Sequence, residues 1–207
     1  VPHRWQVLLA VKPDAPLVAG LPAVVRAAIR AGQELAPDRI VITGASDAFL
    51  IKWAFQLRGS GVPTLGDKIG AGALDKKLPL LALDPEAFPD EHGLRDFSAG
   101  LPPGREDARR VLFGRTVAAL RMSPEAIGAG SADPEAVLTK ALAAPAVVVP
   151  LGAFLDTRGS AASYTTEILC ARLSKDNDGY IARFDRKLWI GLSRLLLPFP
   201  VTPNAVT

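Results

Sequence analysis

Short apolar runs alternate along this chain with stretches whose apolar residues recur every three or four positions. Val7 to Val11 is an apolar run closed by Lys12-Pro13-Asp14, which predicts a buried strand ending in a turn. Pro22 to Gly32 reads as a helix, opened by a proline permitted in a first turn and closed by a glycine suited to end it. Arg39 to Gly44 gives a second strand, and Ser46-Asp47 starts a helix that runs to Leu57. Val62-Pro63-Thr64 reads as an edge strand, and Gly66, Gly70 and Gly72 mark a loop reaching Lys76-Lys77. Leu78 to Leu83 predicts a strand that delivers Asp84 at its end, Glu106 to Arg121 has helical composition despite Gly114, and Ala146 to Val149 returns as a strand. This order predicts an α/β fold: a mainly parallel, Rossmann-like sheet with helices on both faces. Ligands of such folds sit beyond the carboxyl ends of the strands.

After Gly179 the pattern changes. Ile181, Phe184, Leu188, Leu192, Leu195 and Leu196 follow three- and four-residue steps, so on a helix they share one face, with Trp189 beside it. Arg183, Arg186, Lys187 and Arg194 supply the cations. Such a helix either lies in a membrane interface, its long cationic side chains reaching lipid phosphates, or packs its stripe on its own domain. Pro198, Pro200 and Pro203 then forbid a continued helix.

Composition narrows the classes. The chain has 207 residues, 49% of them hydrophobic and rich in Ala and Val, with 18 Gly and 18 Pro and a net charge of +3. That charge is too small for a nucleic-acid partner without a concentrated basic face. Cys170 is the only cysteine, which excludes an internal disulfide and fits a reducing compartment. No run approaches the roughly 18 apolar residues of a spanning helix. Because the sequence starts at Val1, has Met only at Met122 and stops in an apolar-leaning segment, truncation at both ends is expected.

The last part of the chain resembles a family of bacterial and archaeal CDP-alcohol phosphotransferases that carry a cytosolic nucleotidyltransferase-like domain ahead of their membrane domain. The matching parts are Lys175-Asp176-Asn177-Asp178-Gly179-Tyr180-Ile181-Ala182-Arg183, Leu192-Ser193-Arg194, and Thr202-Pro203-Asn204-Ala205-Val206-Thr207. Thr202, Pro203, Asn204 and Thr207 form the junction motif that precedes the first span in that family. Asp178 to Arg183 also imitates the start of the family's catalytic signature, but Lys175 stands where its first aspartate belongs and no Gly-x-x-x-Asp-x-x-x-Asp follows. Metal-assisted phosphoryl transfer needs several converging carboxylates. On this resemblance they belong to a domain beyond Thr207.

The front of the chain resembles nucleotidyltransferases in Gly20-Leu21-Pro22, Ala31-Gly32 and Ile40-Val41-Ile42, with a partial echo at Pro16-Leu17. It lacks their Gly-rich phosphate loop, since no glycine lies between Val11 and Gly20 and proline offers no amide to a phosphate. The resemblance makes Lys12 and Gly20 candidate nucleotide contacts, and Asp84 and Asp156 candidate metal ligands. Their plainer readings are a solvated strand-end lysine at Lys12 and a helix start or turn at Asp84-Pro85-Glu86. Lys76-Lys77 and Arg109, Arg110, Arg115 and Arg121 read as solvated faces without interleaved aromatics, His92 as a loop histidine without a second ligand, and Cys170 as a small apolar residue.

The resemblance therefore implies residues 1–174 as a degenerate nucleotidyltransferase-like α/β domain and 175–207 as a juxtamembrane linker and amphipathic helix. Its implied role is to orient, regulate or dimerise a transferase of phospholipid or polar-headgroup synthesis at the cytoplasmic face of the cell membrane. The parent would be multi-pass, with Mg2+ and the CDP-alcohol substrate in its membrane domain. Partners are then a lipid surface and a second copy, with no nucleic acid, and no catalytic residue is assigned to this chain. Two alternatives stand beside this reading: an active cytidylyltransferase making a CDP-activated alcohol from CTP, and a peripheral membrane adaptor whose Arg183, Arg186, Lys187, Trp189 and Arg194 meet the lipid.

Overall fold

The computed structural model describes residues 5–12, 17–58, 69–70, 74–99, 109–113, 116–124, 127, 133–143, 147–148, 153–158, 161–171, 188–193 and 195–196. In chain order the elements are β1 (Gln6–Ala10), β2 (Leu17–Val18), β3 (Leu21–Pro22), α1 (Ala23–Leu35), β4 (Arg39–Thr43), α2 (Asp47–Arg58) and β5 (Ile69–Gly70). Then follow β6 (Leu80–Leu83), β7 (Ala87–Pro89), α3 (Gly93–Ala99), β8 (Arg109–Phe113), β9 (Thr116–Met122), α4 (Pro134–Ala143), β10 (Val147–Val148), β11 (Phe154–Asp156) and α5 (Ala161–Ala171).

Among the described residues, seven strands form one sheet in the order β10-β8-β9-β6-β1-β4-β5. Strand β1 is parallel to both β4 and β6, β4 to β5, and β8 to β10, whereas β9 runs antiparallel between β6 and β8. The sheet is mainly parallel, as the alternation of the sequence predicts. Period-two alternation divides the core. Val7, Leu9, Ile40, Ile42, Leu81 and Leu83 face a layer built from α1, α2 and α3, while Leu8, Val41, Leu80, Ala82, Leu120 and Met122 face the side holding Ile127 and Val137 of α4. Both faces being covered is why β1, β4 and β6 are continuous apolar runs.

Two expectations are corrected. Where a helix is predicted over Glu106 to Arg121, the described residues form the antiparallel pair β8–β9. Ala119, Leu120 and Arg121 pair with both neighbours and Ala118, Ala119, Leu120 and Met122 are buried, and this pairing and burial outweigh the helix preference of Ala, Leu and Arg. Helix α1 passes through Gly32 to Leu35 and ends at Ala36, whose φ of 45° is left-handed and whose N–H reaches Gly32 O at 3.2 Å. Gln33, Glu34 and Leu35 are good helix formers, so the buried Gly32 does not stop it. At one sheet edge β5 takes Gly70 from the predicted glycine loop, and the strand expected at Val62-Pro63-Thr64 lies outside the described residues.

A two-stranded antiparallel unit, β7 with β11, sits beside the main sheet and pairs Phe154 with Pro89, Leu155 with Phe88 and Asp156 with Ala87. The small β2–β3 hairpin pairs Leu17 with Pro22 and Val18 with Leu21. Near the end of the chain, residues 188–193 and 195–196 are helical.

Candidate functional site at the strand ends

The candidate site is built where β1 and β6, neighbours in the sheet, release their chains at the same end. Val11 N–H donates to Thr43 O at 2.9 Å, and the next residue, Lys12, projects from the end of β1. Asp84 follows β6 directly and donates its N–H to Ala118 O of β9 at 2.9 Å. Its Oδ1 accepts the N–H of Glu86 at 3.0 Å, and its carbonyl accepts that of Ala87 at 3.0 Å, so a tight side-chain-closed turn leads into β7. This is the turn that the plainer reading of Asp84-Pro85-Glu86 anticipates.

The turn aims two carboxylates at one ammonium. Lys12 Nζ lies 3.1 Å from Asp84 Oδ1 and 2.5 Å from Glu86 Oε2. Desolvation by burial works against the Lys12 charge, but the hydrogen bonds it donates to Glu86 and Asp84 and their negative charges outweigh it, so the ammonium pKa is raised above the ordinary lysine value. Strand β11 brings a second group to the same place. Thr157 donates both its N–H, at 2.9 Å, and its hydroxyl, at 2.8 Å, to the Glu86 carbonyl. On either side of it, Asp156 and Arg158 form a bidentate pair, with Nε to Oδ1 at 2.9 Å and Nη2 to Oδ2 at 3.0 Å. The guanidinium hydrogen bond, working against slight desolvation, holds the Asp156 carboxyl below the usual aspartate range. Arg158 is raised chiefly by its hydrogen bond to Asp156, and also feels the charges of Asp84 and Glu86. Lys12, Asp84, Glu86, Asp156 and Arg158 are thus one electrostatic group.

Three of the residues singled out from sequence, Lys12, Asp84 and Asp156, are brought together. Glu86, Thr157 and Arg158 escaped that reading; the legible signal was the two-residue spacing of Asp84 to Glu86 and of Asp156 to Arg158, which puts both partners of each turn on the same side. Gly20 stands in the turn of the β2–β3 hairpin with φ of 86°, next to Ala19 at 46°. That hairpin is fastened from behind: Arg26 donates to the carbonyls of Val18 and Ala19, and Ala19 N–H donates to Thr166 Oγ1 of α5 at 3.0 Å. A backbone amide that could have met an anion is therefore already spent on a buried threonine.

At the C-terminal helix, Leu188, Trp189 and Leu195 are 56%, 49% and 68% exposed. Arg183, Arg186, Lys187 and Arg194, like the junction residues Thr202, Pro203, Asn204 and Thr207, lie outside the described residues. Among the described residues no helix is long and apolar enough to cross a membrane. His92, with φ of 62°, is exposed 4.0 Å from Glu91, and Cys170 is half-buried in α5.

No family model matches the chain, and no curated protein matches it significantly. Among solved structures, that of a 4-diphosphocytidyl-2C-methyl-D-erythritol synthase is similar with a TM-score of 0.47 at 9% identity, covering 81% of this chain and 99% of that one.

Proposed function

We propose that this chain is a nucleotidyltransferase-like domain without nucleotide turnover of its own, carried by a membrane CDP-alcohol phosphotransferase and seated on the bilayer through its C-terminal helix. The observation that carries the reading is the exposure of Leu188, Trp189 and Leu195. A helix that packed its leucine stripe on its own domain would bury Leu188 and Leu195, one turn-pair apart on the same face. Exposed apolar residues with an aromatic neighbour, in a segment carrying Arg183, Arg186, Lys187 and Arg194, match instead a helix lying in an anionic interface. The order of parts after Lys175 supports the same placement, because it is the order that leads into a first span in the resembled family. Absence of turnover is supported by the glycine-free segment from Val11 to Gly20 and by the committed Ala19 amide.

The test is sedimentation with vesicles of phosphatidylglycerol and phosphatidylcholine. The chain is expected to bind the anionic vesicles, more weakly as salt rises, and Leu188→Glu with Leu195→Glu is expected to weaken binding at least ~10-fold. Equal binding by the double variant defeats the membrane seat. Titration of CTP with magnesium is expected to give no saturable binding below the millimolar range, and micromolar affinity defeats the non-catalytic role.

One observation favours a second reading, an active cytidylyltransferase: Lys12 and Asp84 meet at the carboxyl ends of the parallel strands β1 and β6, where such folds hold ligands, with the Asp156–Arg158 pair of β11 close enough for Arg158 to feel their charge. That reading predicts pyrophosphate release from CTP and a phosphorylated alcohol, abolished in Asp84→Ala.

A further inference from the structure

A nucleotidyltransferase-like site of this kind leads one to expect a divalent cation on Asp84 and Asp156, and the donor atoms can be tested for it. Magnesium takes about six oxygens at close to octahedral angles. Here Asp84 Oδ1 already accepts two donors, Lys12 Nζ at 3.1 Å and Glu86 N–H at 3.0 Å. Glu86 Oε2 accepts Lys12 at 2.5 Å. Both oxygens of Asp156 are taken by the Arg158 guanidinium, and Oδ1 also accepts the Arg158 N–H at 2.9 Å. Among the described residues no three His, Cys, Asp or Glu side chains converge as a metal would require. The donor set does not fit a divalent ion, and the reason is visible in each contact: a side-chain cation of the chain itself stands against each carboxylate.

We infer that Lys12 is the built-in cation of this site, its ammonium filling the space between Asp84 and Glu86 and balancing their charge without metal. Placement argues for this as strongly as distance. Lys12 comes from the end of β1 and the two carboxylates from the turn after β6, 72 and 74 residues further along, so the pair ties adjacent parallel strands at their open ends. Asp84 and Glu86 are the more buried partners, and two carboxylates held side by side in a partly desolvated turn need a positive charge between them. The Asp156–Arg158 pair neutralises the remaining acid from the neighbouring strand. A cation that is covalently part of β1 cannot be lost by dilution or chelation. The site therefore keeps one charge state whatever the metal supply. This deepens the reading of the domain as nucleotidyltransferase-like without turnover, and it rests on the nucleotidyltransferase-like part of that reading only for the expectation of a metal.

The experiment uses the whole chain and Mn2+ alone as probe, followed by electron paramagnetic resonance and by thermal unfolding with Mg2+ against NaCl of equal ionic strength. The chain with Lys12 intact is expected to show no Mn2+ binding that Asp84→Asn removes, and no Tm change specific to Mg2+. Lys12→Met is expected to lower Tm, to recover part of the loss in Mg2+ but not in NaCl, and to bind Mn2+ at least ~10-fold more tightly. Lys12→Arg should keep the native behaviour. If Lys12→Met fails to fold, Lys12→Met with Glu86→Gln, which removes one charge of each sign, should restore folding. The inference is overturned by Asp84-dependent Mn2+ binding in the native chain, by a Lys12→Met variant with native Tm and unchanged Mn2+ affinity, or by a double variant as unfolded as the single one. Failure of vesicle binding would remove the membrane seat and leave each of these results standing.

Discussion

Glu34 shows how one side chain can couple two helices. It belongs to α1, its side chain is 4% exposed, and its Oε2 accepts the first amides of α3, Leu94 N–H at 3.0 Å and Arg95 N–H at 3.1 Å. Its other oxygen is buried without a hydrogen bond, and Arg30 Nε stands 3.6 Å away, an ion pair too long to satisfy it. Burial raises the Glu34 pKa, against the opposing pull of the Arg95 amide, the Arg30 charge, the Leu94 amide and His92. The sign follows from linkage. A carboxyl easier to protonate when folded contributes most below its unfolded pKa, and the contribution is lost as pH rises through the raised folded value. Glu34→Gln keeps an oxygen for the two amides and cannot ionise. Urea unfolding of both proteins from acidic to neutral pH is therefore expected to show the native chain losing stability relative to Glu34→Gln as pH rises from the ordinary glutamate range. A difference that is flat with pH would mean that Glu34 titrates normally.

At the scale of elements, the sequence shows most where burial on both faces makes strands uniformly apolar. Val7 to Val11, Arg39 to Gly44 and Leu78 to Leu83 were readable as β1, β4 and β6, and Asp84 was readable as the residue after β6. The β8–β9 pair was not, because Ala119 and Leu120 are helix formers that become strand residues by pairing with β8 in a hairpin and with β6 from a distant part of the chain. The short β7–β11 unit was illegible for the same reason: three residues on each side form a ladder across a separation of more than sixty positions. Asp156 ends β11 and Glu86 stands just before β7, so the candidate site was half legible, with Lys12, Asp84 and Asp156 open to the sequence and Glu86, Thr157 and Arg158 hidden beside the short ladder. A glycine holds this unit to α3. A methyl group at Gly93 would sit 2.3 Å from the Ala153 carbonyl oxygen, a backbone atom that also accepts Asp90 N–H at 2.8 Å. Gly93→Ala must therefore displace either α3 or the approach to β11, with an expected loss of about 2–4 kcal/mol in denaturant unfolding. A loss within error would show that the two backbones separate freely.

Over the whole molecule the strand-end group lies between two parts of unequal strength. The seven-stranded sheet is sealed by apolar layers on both faces, with Val7, Leu8, Leu9, Ile40, Val41 and Ile42 fully buried. The β7–β11 pair has only a three-residue ladder and is joined to the site through Thr157 and the Glu86 carbonyl. Although Ala87, Phe88, Leu94, Phe97 and Phe154 are buried, the short ladder has fewer backbone hydrogen bonds to break than the large sheet, so this pair and α3 are expected to exchange their amide hydrogens by a separate, lower-energy opening. Thr157→Val makes the claim specific. It removes the hydroxyl donor to Glu86 O while leaving the Thr157 N–H in place, a change worth about 0.5–1.5 kcal/mol for one hydrogen bond. Exchange should then quicken roughly threefold to tenfold at Ala87, Phe88, Leu155 and the amides of α3, with β1 and β4 unchanged. Equal acceleration in β1 and β4 would mean that the small sheet unfolds only with the large one. In that case Lys12, Asp84 and Arg158 would belong to one cooperative body instead of bridging two.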